Sequence, residues 1–170
     1  MYIVDASKQL TLFMENICDF TDLGLSSDYL VPLLEESSDS FDPPLTQRIV
    51  EKSGKSGVLT YIEKLLSHGH ILVNTNNGVI DAFVAYYSND KETRLAYIPL
   101  VLIKKESQGK GLATTLINEC LNRLVKDEMN AVTIKTWKTN YAAIALYKKL
   151  GFSECHIDDN DITLIFKINL

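Results

Sequence analysis

The sequence predicts a single α/β domain with a mixed, mostly antiparallel sheet of six or seven strands flanked by helices. Three observations point there. Near residue 70 the hydrophobic period changes from helical spacing to strict alternation. Asn76-Asn77-Gly78 sits between two alternating runs, a strong signal for a tight hairpin turn. Beyond residue 110, amphipathic helical stretches alternate with short apolar strands.

The elements follow in order. "SKQLTLFMENICDF" predicts a helix with Ser7 as N-cap and Leu10, Phe13, Met14 and Ile17 on one face. Pro32, Pro43 and Pro44 break the next stretch into short helices and a loop, and "SFDPP" has the composition of a lid. "SGVLTYIEKLLSHG" is a firmer helix, with Val58, Ile62, Leu65 and Leu66 on a face and Gly69 ending it. "HILVNT" and "VIDAFVAYYSN" form the hairpin. A strand follows over about 94–104, and Pro99 inside it predicts a kink, bulge or local splay, because proline cannot donate to a ladder. Leu112, Leu116, Ile117, Cys120, Leu121 and Leu124 then stripe a helix. "AVTIKT" is a short buried strand, and "NYAAIALYKKLG" a helix capped by Asn140 and stopped by Gly151. "FSECHI" and "ITLIFKI" close the chain as two strands.

Composition narrows the class. A chain of 170 residues with 46% hydrophobic and 23% charged residues suits one soluble domain, residues 1–170. No apolar run reaches the roughly 20 residues that a membrane span needs, and "MYIVDASKQL" is not patterned as a secretory signal. Cys18, Cys120 and Cys155 are scattered and odd in number, so they read as reduced thiols in a cytoplasmic protein. A net charge of −5 argues against a non-specific nucleic-acid binder. The charge is unevenly spread: residues 1–60 carry ten acids and four bases, residues 91–151 eleven bases and five acids. Such asymmetry suits an anionic ligand on one surface and a cation on another.

"KKESQGKGLATTL", residues 104–116, lies between a strand and a helix, where paired glycines and a lysine suggest an anion. A nucleotide-triphosphate loop is excluded, because Lys110 is followed by glycine rather than Ser/Thr. "SGKSG" at 53–57 fails too, having Ile49 where the first glycine belongs. The dinucleotide fingerprint needs three glycines, differently spaced. Gln108-Gly109-Lys110-Gly111-Leu112-Ala113 does resemble the Gln/Arg-x-x-Gly-x-Gly/Ala loop of the GNAT superfamily of acyl-CoA-dependent N-acetyltransferases. "NYAAIALYKKLGF", residues 140–152, is similar to that family's next signature, with Asn140, Ala143, Leu146, Tyr147, Gly151 and Phe152 in register. The resemblance covers roughly residues 58–168.

The resemblance implies a sheet whose central strands splay into a V around the acyl thioester. Residues 58–168 would be the cofactor-binding core and 1–57 a helical acceptor-side region. Gln108, Gly109, Lys110, Gly111, Leu112, Ala113 and Thr114 would hold the pyrophosphate of acetyl-CoA, the acyl donor. Lys104 and Lys105 add charge nearby. Leu102 and Ile103 match positions whose main chain pairs with the pantetheine arm and offers an oxyanion donor. Asn140 is compatible with a plain N-cap and with contact to the cofactor, and Ala143 would contact the cofactor too. Tyr147 is either an aromatic at the core edge or, as the family implies, the residue that protonates the coenzyme A sulfur.

The implied acceptor is a primary amine of a small molecule, and the acidic N-terminal region hints at a cationic one. A protein or peptide amine and a non-catalytic acyl-CoA sensor are the alternatives. Many relatives place a glutamate on the strand before the loop, but residues 95–103 contain no acid. Glu92, Glu106, Asp81 and a water ordered by Tyr97 remain open as the base. His68-Gly69-His70 lacks a third ligand and reads as surface histidines, so no metal is expected. Trp137 lines the acceptor cleft or packs in the core. Partner expectations are acetyl-CoA and the amine, no nucleic acid, no membrane, and a monomer or homodimer.

Overall fold

The computed structural model describes residues 17–38, 44–47, 49 and 57–168. Its strands are β1 (Ile17–Asp19), β2 (His70–Asn76), β3 (Val79–Tyr87), β4 (Leu95–Ile103), β5 (Ala131–Trp137), β6 (Ser153–Ile157) and β7 (Asp161–Lys167). The α-helices that lie wholly among the described residues are α1 (Val31–Ser38), α2 (Val58–His68), α3 (Leu112–Lys126) and α4 (Tyr141–Lys149). One seven-stranded sheet runs in the order β1-β2-β3-β4-β5-β7-β6. Only β4 and β5 pair in parallel; the other neighbours are antiparallel. A mixed sheet flanked by helices is thus what the patterning predicts.

Local chemistry accounts for the joints. Asn77 and Gly78 take φ of 51° and 77°, the paired left-handed conformations that a two-residue hairpin needs. Gly69 ends α2 in extended backbone, and a Cβ there would sit 2.5 Å from the Tyr86 carbonyl oxygen. The predicted first helix lies mostly outside the described residues. At its end, Ile17–Asp19 pair with β2 as a strand, and Phe20–Leu23 form a 3-10 turn capped by the Asp19 side chain. Helical periodicity over so short a piece yields to the open edge of β2. "SFDPP" lies outside the described residues except for Pro44.

Each sheet face has its own core. Leu72, Ala82, Val84, Ala96, Ile98, Val132, Ile134 and Leu164 pack with Leu116, Ile117, Cys120 and Leu124 of α3 and Tyr147 of α4. Ile71, Val73, Phe83, Ala85, Leu100 and Leu102 pack with Leu33 and Leu34 of α1 and Ile62 and Leu65 of α2. β4 changes sides between these clusters. Ala85 faces Leu100 while Tyr87 faces Tyr97, so β4 carries one extra residue at Ile98–Pro99. That bulge turns Leu100 and Leu102 toward the face opposite to that of Ala96 and Ile98. The proline therefore marks a bulge.

Candidate active site

The bulge also opens the sheet. β4 and β5 pair from Leu95–Ala131 to Ile98–Ile134, and the ladder stops at Pro99. Beyond it β4 stays with β3, while β5 stays with β7. The strands part, leaving a cleft of about 640 Å³. Pro99 to Ile103 form one wall and Ile134 to Trp137 the other. Ser37 and Leu45 reach it from the N-terminal region, and Asn140, Ala142, Ala143, Leu146 and Tyr147 from the start of α4 and its inner face.

The glycine loop closes one end of the cleft. Gly109 and Gly111 have φ of 74° and 82°, and an added Cβ on either meets nothing within 4 Å. Gly111 is the N-cap of α3 and offers no capping side chain. Thr115 N–H is the amide that reaches the Gly111 carbonyl, at 3.1 Å. The amides of Leu112, Ala113 and Thr114 precede it, without helical acceptors, at the positive end of the helix. Gln108, Gly109, Gly111, Leu112, Ala113 and Thr114 all line the cleft. Lys110 is exposed and does not line it.

A buried polar knot holds this loop to the sheet. Asp81 is an extra residue on β3, since Asn74 faces Ala82 and the next partner of β2 is Ile80. Its carboxylate accepts from Asn74 Nδ2 at 2.7 Å and Ser107 Oγ at 2.9 Å. Lys104 N–H reaches the Asp81 carbonyl at 2.7 Å, and Gln108 Nε2 donates to the Ile103 carbonyl at 3.2 Å. These bonds fix which main-chain edge is free. Alternation along a strand sends the N–H and C=O of Leu102, like Lys104 N–H, toward β3. Val101 and Ile103 turn theirs toward the opening. Leu102 lines the cleft with its side chain; its main chain belongs to the β3 ladder.

Asn140 caps α4 as predicted, its Oδ1 accepting from Ala143 N–H at 3.3 Å while Nδ2 donates to Thr136 Oγ1 at 3.1 Å. Tyr147 is buried, its ring 6.0 Å from Phe152. Burial pushes its phenol well above the usual tyrosine range. Its hydroxyl makes no hydrogen bond to the described residues, and the side chain lines the cleft.

Other candidates lie elsewhere. Asp81 is committed to the knot, Glu92 and Glu106 are exposed, and Tyr97 stacks on Tyr87 at 6.5 Å outside the cleft. Among the described residues lining the cleft there is no carboxylate and no histidine; Lys135 is its charged side chain. Lys135 is itself held by Asp158 at 2.7 Å and Asp161 at 3.3 Å. Trp137 lines the cleft. His68 bonds Ser67 Oγ, and His70 stacks on Tyr86. Cys120 is buried, which raises its thiol pKa and makes it inert. No helix among the described residues is long and apolar enough to cross a membrane. Ser37, Val101 and Thr136 went unread in the sequence, because only the parting of the strands brings them to one cavity.

This arrangement is that of an acyltransferase fold, and comparison with known proteins agrees. The chain belongs to the acetyltransferase (GNAT) family, whose sequence pattern matches residues 31–152. The match begins in α1, earlier than the motifs alone suggest. It resembles the N-alpha-acetyltransferase MAK3 of Arabidopsis thaliana, with 26% identity over 73 residues, 43% of this chain and 38% of that protein. The chain spans less than half the length of the curated relatives it matches. In fold it is similar to the PaiA N-acetyltransferase of Thermoplasma acidophilum, solved in complex with coenzyme A. The TM-score is 0.70 at 19% identity, covering 90% of this chain and 99% of that one. The ribosomal-protein-S18-alanine N-acetyltransferase of Escherichia coli has a TM-score of 0.63 at 21% identity, covering 91% and 94%. Family and relatives support an acetyl-CoA-dependent acyltransferase.

Proposed function

We propose that this chain is an N-acetyltransferase that moves an acetyl group directly from acetyl-CoA to a primary amine. The observation that carries the reading is the parting of β4 from β5 between a loop of free amides and the buried Tyr147, whose hydroxyl has no hydrogen bond to the described residues. The coenzyme A complex of the Thermoplasma protein supports the same donor.

In this reading the pyrophosphate lies on the amides of residues 112–114, where Gly109 and Gly111 let the backbone close on it. The pantetheine arm runs along the main-chain edge at Val101 and the Ile103 N–H, beside the Ile103 carbonyl that Gln108 already meets, with the Leu102 side chain beneath it. The thioester oxygen then meets the Val101 N–H. The amine nitrogen attacks the carbonyl carbon, and negative charge on the oxygen is held by that N–H. The nitrogen gives a proton to water. The C–S bond breaks, and the leaving thiolate takes the Tyr147 proton, which solvent later restores. Burial keeps Tyr147 neutral until the thiolate forms. The products are an amide and free coenzyme A.

The cleft lining favours an amine that arrives uncharged, because no described carboxylate there would hold an ammonium. At pH 7.5 roughly a third of an α-amine is free base, against about one in a thousand of a lysine-like amine. A small-molecule amine is one acceptor class. The second reading, the α-amine of a polypeptide, is favoured by this lining and by the name of the Arabidopsis relative. The test is release of free thiol from acetyl-CoA with spermidine, glucosamine, lysine, or a short peptide with a free N-terminus, against the N-acetylated peptide. Turnover with any of them, and the acetylated product by mass, supports the enzyme. Tight acetyl-CoA binding without turnover leaves a sensor instead.

A further inference from the structure

Leu30, just before α1, and Leu33, Leu34 and Ser37 within it are buried, the spacing of one apolar helix face. The last of these is polar. Ser37 is 3% exposed, and its Oγ is the one buried side-chain oxygen or nitrogen among the described residues that lacks a hydrogen-bond partner. A helical serine ordinarily bonds the carbonyl one turn back or turns to solvent. Ser37 does neither, and it lines the cleft. α1 is held in place by Leu33 and Leu34 in the core and by Glu36, whose carboxylate lies 3.3 Å from Lys104 Nζ at the end of β4. An orphaned hydroxyl on a fixed helix marks a place for a ligand, since leaving it unpaired is costly.

Which ligand follows from the two sheet faces. The helices carrying the free amides, Asn140 and Tyr147 pack on the face of Ala96 and Ile98. α1 packs on the other, beside Leu100 and Leu102. A direct transfer needs the amine to reach the thioester from the side that the cofactor leaves open. We infer that Ser37 is an acceptor-binding residue: its Oγ accepts a hydrogen bond from an N–H of the incoming neutral amine. That bond aims the nitrogen lone pair at the thioester carbon. The inference rests on the acetyltransferase reading and deepens it.

The test uses Ser37→Ala, which removes the hydroxyl, and Ser37→Thr, which keeps it. The probes are acetyl-CoA alone, and then spermidine or a short peptide with a free N-terminus, whichever the wild-type protein acetylates faster. For S37A the KM of the amine rises about tenfold, as loss of one hydrogen bond predicts, and the acetyl-CoA Kd stays within twofold. Its Tm does not fall, because an unpaired buried group has been removed. S37T restores most of the KM. An unchanged amine KM in S37A overturns the inference. So does a weakened acetyl-CoA Kd with unchanged amine KM, which gives the hydroxyl to the pantetheine arm. If the wild-type protein turns over no amine, the acetyltransferase reading fails first, and that outcome is read before any variant is made.

Discussion

Gly111→Ala separates an anion cradle from a mere turn. Gly111 has φ of 82°, where an L-residue costs about 1–2 kcal/mol. The new Cβ would meet no protein atom within 4 Å, so no packing clash adds to that cost. A chain of this size loses about 2–4 °C of Tm per kcal/mol, so Tm falls by roughly 2–8 °C. On the proposed reading the effect on acetyl-CoA is larger, because the added methyl group takes up open space into which the pyrophosphate would close. Losing one hydrogen bond to a charged group costs about 1.5–3 kcal/mol, a roughly 10- to 150-fold weaker Kd. Gly24 supplies the control: its φ is 62°, its surroundings are equally open, and it ends a 3-10 turn outside the cleft. Gly24→Ala carries the same strain and leaves the Kd unchanged. Calorimetric titration and thermal melts of both variants are the assay. If G111A melts earlier yet binds acetyl-CoA like the wild type, the loop is only a turn and the reasoning is refuted.

Three further outcomes are expected. Tyr147→Phe lowers kcat by about 100-fold or more, as loss of a general acid does, with the acetyl-CoA Kd within threefold; a loss below tenfold by stopped-assay kinetics removes Tyr147 from the chemistry. Asp81→Ala strands the Asn74 and Ser107 donors and destabilises the fold by about 3 kcal/mol in urea titrations; a change under about 1 kcal/mol would sink the knot argument. Burial raises the pKa of Tyr86, Tyr147 and Cys120 in the folded state. The unfolded chain therefore sheds these protons first, and the stability present below the unfolded values is lost as pH rises. Each group adds a slope approaching about 1.4 kcal/mol per pH unit above its unfolded pKa of roughly 8.5 or 10. The urea midpoint should fall between pH 9 and 11, and a flat profile contradicts it.

What was legible in the sequence followed local physics. The Asn77-Gly78 turn, the stripe from Leu112 to Leu124 and the Asn140 cap are short-range signals, and the chain obeys them. Pro99 announced an irregularity, but not its kind. Whether a proline kinks, bulges or splays a strand depends on the registers on both sides, and those are long-range pairings. The same limit hid the free main-chain edge. Leu102 and Ile103 are adjacent in sequence, yet strand alternation sends their amides to opposite sides. Only the bond from Lys104 to Asp81 shows which side is open. Ser37 was invisible for the same reason: a serine after two glutamates looks like a helix end until the parted strands give it a cavity.

Charge asymmetry is the subtlest case, because a count by segment does not say where the charges point. An acidic N-terminal segment precedes a basic core in the sequence, and part of that contrast is spent within the molecule. Glu36 pairs with Lys104 at 3.3 Å, and Asp19 lies 3.7 Å from both Arg123 and His70. These contacts fasten the N-terminal elements to the end of β4, to α3 and to β2. The exposed members contribute little energy each, but they set which helix walls the cleft. Asp19 and Glu36, so engaged, bear on docking rather than on the charge of a substrate. The cleft itself holds Lys135 and neutral hydroxyls among its described residues. Under the proposed function, the ratio of kcat/KM for an α-amino peptide to that for spermidine is the quantity that decides between an amine of low pKa and a polycation.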